Sequence, residues 1–95
     1  MLPAAQLDME TCPRRCDVKE FEEDGEVLLY HPLRDEATVL NQSAAEVWQL
    51  CDGKASLEAI TTRLGARYGV EGTLLFDDVV TALLELSSRE LIELA

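Results

Sequence analysis

The stretch Asp24-Gly25-Glu26-Val27-Leu28-Leu29-Tyr30-His31-Pro32 leaves this chain few options. Asp-Gly suits a two-residue turn whose central residues take positive φ, the turn that joins two antiparallel strands. Val27, Leu28, Leu29 and Tyr30 then place apolar groups on both faces of the strand that follows. Such a strand wants cover on both sides and belongs at the centre of a sheet. Pro32 ends it, because proline cannot donate a ladder hydrogen bond. Val18 to Glu22 is the expected strand before the turn, and Ala37 to Leu40 the expected third strand, antiparallel because the connection is short.

The remainder reads as helix. Ser43-Ala44-Ala45-Glu46 matches a capping box, so a first helix is expected from Ser43. Ala44, Val47, Trp48 and Cys51 share one face of it, and Asp52-Gly53 stops it. A second helix is expected over residues 56–68, with Ser56 as N-cap, a stripe of Leu57, Ile60, Leu64 and Tyr68, and Gly69 at its end. Gly65 inside it costs about 1 kcal/mol relative to Ala, which suggests close packing there. A third helix is expected over residues 74–88, with Asp77 and Asp78 at its positive end. Leu75, Val79, Ala82, Leu83 and Leu86 form its core stripe. Phe76, Val80 and Leu84 add a second row, a wider apolar face than one small core requires. Leu91, Ile92 and Leu94 close the chain as a short tail with room for an extended conformation. Residues 1–15 hold two prolines and little periodicity, and are expected as a mobile lead-in to a single domain over residues 16–95. Three strands followed by three helices give an α+β fold of the winged helix-turn-helix kind, a small antiparallel sheet with helices gathered beside it.

Charge narrows the function. The chain has 95 residues, 19 acidic and 8 basic, and a net charge of -11. That sign opposes a phosphate backbone, and the expected third helix, the one a winged-helix DNA reader would insert, has no Lys or Arg from Leu74 to Ser88. The N-terminal stretch has no basic region followed by an apolar run, and nothing approaches 18 consecutive apolar residues. No membrane partner is expected, and the cytosol is the expected compartment. Cys12 and Cys16 stand at the spacing that opens a radical SAM cluster motif, but the third position of that motif is Lys19, so no metal or cluster is expected. Cys51, on the apolar face of the first helix, is expected as a small buried hydrophobe. His31 is the single histidine and is expected at the surface, without a metal or relay partner. No nucleophile with its base and no acid/base pair is visible, so no enzyme activity and no cofactor are expected. An acidic carrier protein fits in size and charge. Its attachment serine would follow an aspartate, however, and the nearest match, Ala55-Ser56-Leu57, lacks it.

The strings DGEVLLYHP (24–32), LNQSAAEVWQLCDG (40–53), LEAITTRLGARYGV (57–70) and DDVVTALLEL (77–86) resemble the PqqD-like family, the recognition elements of ribosomally synthesised and modified peptides. The resemblance spans roughly residues 17–94. It departs from the family at Arg89-Glu90, where a glycine near the end of the third helix is frequent. The strand region is also less basic than in proteins of the pyrroloquinoline quinone pathway proper, so the resemblance is to the family rather than to that pathway. It implies a winged-helix-like adaptor that performs no chemistry. Such an adaptor binds the leader segment of a precursor peptide as an added strand and presents it to a modifying enzyme, often a radical SAM enzyme. On this chain the leader would lie along Ala37, Thr38, Val39 and Leu40, the third strand and not the first. It would pack against Phe76, Asp77, Val80 and Leu84 of the third helix. The alternative function is an acidic winged-helix module for protein–protein interaction or regulation, without a peptide substrate of this kind.

Overall fold

The computed structural model describes residues 7–94. Strands β2 (Lys19–Glu23) and β3 (Glu26–His31) form the expected hairpin. Both turn residues have positive φ, Asp24 at 54° and Gly25 at 81°, the arrangement in which the turn's twist matches that of the strands. β4 (Glu36–Leu40) follows, and the sheet order is β2-β3-β4 with antiparallel pairing throughout.

The register assigns each residue to a face, because residues directly opposite in an antiparallel pair point the same way. Val27, Leu29 and His31 of β3 face inward, with Leu40, Thr38 and Glu36 opposite them on β4. Glu22 and Glu20 of β2 lie on that same inward side, opposite Val27 and Leu29. Leu28 and Tyr30 face outward. The central position of β3 is as expected, but cover on both faces is not. The helices pack on the inward side only, and Leu28 is left half-buried between Phe21 and Val39. His31, expected at the surface, is buried, because the strand's period of two puts it in phase with Val27 and Leu29.

Helix α1 (Gln42–Leu50) begins before the expected point. Its N-cap is Asn41, whose side-chain oxygen accepts the Ala44 amide at 2.9 Å. Asn is as good a cap as Ser, and it leaves no room for the capping box centred on Ser43. α2 (Leu57–Tyr68) starts on Ser56, whose hydroxyl accepts the Ala59 amide at 3.1 Å, and ends with Gly69 in the left-handed conformation. The chain then turns tightly back on α2 through a 3-10 turn at Gly72–Leu75. A Cβ on Gly65 would stand 2.5 Å from the Val70 carbonyl oxygen, so the close packing suggested by that glycine is a backbone-to-backbone approach.

Helix α3 (Phe76–Ser88) ends in a Schellman motif: the Leu91 amide donates to the Leu86 carbonyl and the Glu90 amide to the Ser87 carbonyl, each at 2.9 Å. The motif needs a left-handed residue, and Glu90 supplies it at φ 58°. The Arg89-Glu90 pair, noted above as a departure from the resembled family, lies at this helix end.

The extended C-terminal tail has a partner that was not expected. Strand β1 (Pro13–Arg15) pairs with β5 (Ile92–Leu94) as a second, two-stranded sheet. Upstream, the Thr11 and Met9 carbonyls accept the Leu57 and Glu58 amides at 2.7 and 3.1 Å. These are first-turn amides of α2 that have no partner inside the helix. Residues 7–15 therefore belong to the fold; residues 1–6 of the expected lead-in lie outside the described residues. Two short strands far apart in sequence carry no local periodicity long enough to announce them.

One core unites these parts. Leu29, Leu57, Ile60, Leu83 and Leu91 are at most 1% exposed, and Val47, Trp48 and Cys51 of α1 complete it. Burial pushes the Cys51 thiol up to about 12, and it donates to the Val47 carbonyl at 3.1 Å. It behaves as a small apolar group.

Candidate functional site

β4 pairs with β3 on one side only, so its other backbone edge is unpaired among the described residues. Beside that edge a cleft of about 390 Å³ opens between β4 and α3. Arg34, just before β4, reaches the Ser88 carbonyl at the end of α3, and the cleft is lined by Thr38, Val39 and Leu40 from the strand and by Asp78, Ala82 and Glu85 from the helix.

The floor of the cleft is apolar: Leu40, Val47, Leu64, Val79 and Leu86 are all buried core residues. Space exists above them because the facing helices carry small residues, Ala44 on α1 and Ala82 on α3. Tyr68, at the end of α2, stands at the end of the cleft near Ser43. Its hydroxyl donates to Glu46, whose other oxygen accepts from Arg67 at 2.8 Å. The Tyr68 hydrogen bond, with Arg67 behind it, holds the Glu46 carboxyl below its usual range. This cluster ties α1 to α2 and sets the end wall. The outer rim belongs to α3: Asp78, Thr81 and Glu85 are exposed along it, with Arg89 beyond.

The residues expected at the site divide sharply. Thr38, Val39 and Leu40 line the cleft, and Ala37 precedes them on the same strand. Phe76, Asp77, Val80 and Leu84 are not among its lining. At 100° per residue, Phe76, Val80 and Leu84 lie on one flank of the buried stripe Val79–Leu83–Leu86, and Asp78, Ala82 and Glu85 on the other. The structure turns the second flank to β4. Phe76 and Val80 pack against the core from their own side, and Asp77 is exposed. An apolar search favours the first flank, since the cleft wall is small and polar. The signal that pointed to it was Asp78, Ala82 and Glu85 recurring at helical spacing without an apolar residue large enough to fill the gap.

No group of three or more His, Cys, Asp or Glu side chains could hold a metal ion among the described residues. No helix among them is long and apolar enough to cross a membrane.

Comparison with known proteins agrees with this geometry. No curated protein sequence matches the chain. Among solved structures, "TbiB1 in Complex with the TbiA(beta) Leader Peptide" has the same fold, with a TM-score of 0.74 and 26% identity over 84% of this chain and 94% of that one. The profile of the family described as Coenzyme PQQ synthesis protein D (PqqD) matches residues 26–92, from the first residue of β3 to the first residue of β5. The order of strands, the cleft and the sequence match converge on one conclusion: this chain belongs to the PqqD family.

Proposed function

We propose that this protein binds the leader segment of a ribosomally synthesised precursor peptide and presents it to the enzyme that modifies the rest of that peptide. The observation that carries this reading is the unpaired edge of β4 beside an apolar-floored cleft, in a fold shared with a protein solved in complex with a leader peptide. An extended peptide added to β4 satisfies that strand's free backbone groups, and its alternate side chains enter the cleft. Main-chain pairing supplies affinity and the pockets supply selection. The chain's contribution is binding and placement; the chemistry belongs to the partner, for which a radical SAM enzyme is the class the family resemblance favours.

The test is a titration of isotope-labelled protein with the precursor peptide encoded beside its gene, followed by amide NMR. Shifts are expected at Glu36–Asn41 and at Asp78, Ala82 and Glu85. Shifts confined to β2 or to the β1–β5 ribbon, or none at a large peptide excess, would sink the proposal.

A further inference from the structure

Apolar floors are common among peptide grooves, and the rim says more about which peptide fits. Asp78 and Glu85 stand on the α3 wall, both exposed, and neither makes an ion pair or a side-chain hydrogen bond among the described residues. Glu46, at the end of the same cleft, is held by Arg67 and Tyr68. The carboxylate that joins the helices is partnered; the two on the wall are not.

Structure alone gives Glu85 little reason to be acidic. Asp78 suits the positive end of α3, but Glu85 lies in the last turns, where the helix dipole disfavours a carboxylate. Arg89, one turn on, is in position for a helical pair with Glu85, yet no ion pair joins them. Among the described residues Arg89 is the one basic residue lining the cleft. The whole chain carries -11, which draws cationic segments toward it over about a Debye length, ~8 Å at physiological salt.

Spacing sharpens the argument. Asp78 and Glu85 lie seven residues apart on one face, about 10.5 Å along the axis, with Ala82 between them. In a strand added to β4, residues pointing at α3 recur at every second position, about 6.7 Å apart. The middle of three such residues can fill the space over Ala82. Its two neighbours, four residues apart, bring flexible cationic side chains to Asp78 and Glu85.

We propose that the segment bound in the cleft carries the pattern basic–x–apolar–x–basic, its apolar residue seated over Ala82 and its Lys or Arg residues against Asp78 and Glu85. This rests on the leader-binding reading and adds the chemistry of the bound segment.

The experiment is selection of a displayed random twelve-residue peptide library on the full chain. It is repeated on Asp78→Lys/Glu85→Lys and on Glu22→Lys/Glu23→Lys, a hairpin pair that changes net charge equally. Each selected peptide is mapped by hydrogen exchange. The expected result is enrichment of the pattern on the wild type and the hairpin variant, with protection at β4. Reversal of the two wall carboxylates should weaken those peptides about tenfold or more, since two favourable charge pairs become unfavourable, and should shift selection to acidic residues. Peptides that protect β4 without charge preference, or whose preference survives wall reversal, overturn the pattern and leave leader binding standing. Loss of the basic preference in the hairpin variant overturns it too, by showing bulk attraction only. Failure to select any peptide that protects β4 overturns both readings.

Discussion

The three-stranded sheet has two outer edges, and they are built on opposite principles. β2 reads Lys-Glu-Phe-Glu-Glu and every residue of it is exposed. Its inward-facing positions, opposite the core residues Val27 and Leu29, are Glu22 and Glu20. Inward-pointing charge on an edge strand obstructs any further strand, because pairing there would bury the carboxylates. β4 places Thr38 and Leu40 at the equivalent positions, opposite Leu29 and Val27, and has a floored cleft beside them. The same sheet thus closes one edge with charge and leaves the other chemically open. An open edge invites aggregation unless it has an occupant, which is why the contrast bears on function.

The largest expected effect comes from transferring the closed character to the open edge. Thr38→Lys should weaken a cleft-binding peptide at least tenfold, about 1.4 kcal/mol, by fluorescence anisotropy. Glu22→Lys on β2 should leave binding unchanged. Equal losses from the two would erase the distinction between the edges. The reverse exchange, Glu20→Thr/Glu22→Thr, should open β2. Its apparent mass in sedimentation equilibrium is expected to rise more steeply with concentration than the wild type's, because two edges are then open instead of one.

The support behind β4 is the next target. Asn41 both ends that strand's run and caps α1, so Asn41→Ala should cost about 1 kcal/mol in urea unfolding. Ser43→Ala should cost little, since Ser43 is not the cap. A larger loss from Ser43 would restore the capping box. On the cleft's other wall, Glu90→Gly relieves a left-handed residue at the end of α3. The relief of ~1–2 kcal/mol is partly offset by glycine's unfolded-state entropy, ~0.5–1 kcal/mol, leaving a gain of about 0.5–1 kcal/mol. The smallest effect lies at the end wall. The Glu46 carboxyl is held below its usual range by Tyr68 and Arg67. Its contribution is therefore complete above the ordinary carboxylate range and is lost as pH falls through the lowered value. Glu46→Gln should flatten that part of the acid decline in Tm.

Much of the scaffold was legible because its signals are local. Asp24-Gly25 dictated a positive-φ turn, the apolar run Val27–Tyr30 a central strand, and Ser56 and Gly69 the limits of α2. Local reading misplaced the cap of α1 because Asn41 and Ser43 are both good caps two residues apart, and the choice between them depends on how β4 enters the helix. It missed β1 and its pairing with the C-terminal tail as β5, because the two are separated by most of the chain. Half of the cleft lining was legible too: Thr38, Val39 and Leu40 follow from the strand assignment. The helical half of the lining was not.

The reason is geometric. A helical wheel orders the side chains of α3 around its axis but contains no reference to the sheet. Both Phe76–Val80–Leu84 and Asp78–Ala82–Glu85 flank the same buried stripe, and the sequence treats them as equivalent candidates, with apolar content favouring the first. Local composition and periodicity, which act through turn chemistry, capping and burial within a few residues, determined that this chain makes a small antiparallel sheet followed by three helices. Only the tertiary packing decided which flank of α3 meets β4, because that depends on the rotation of one element against another through a shared core. That same rotation made the open edge of β4 one wall of a cleft.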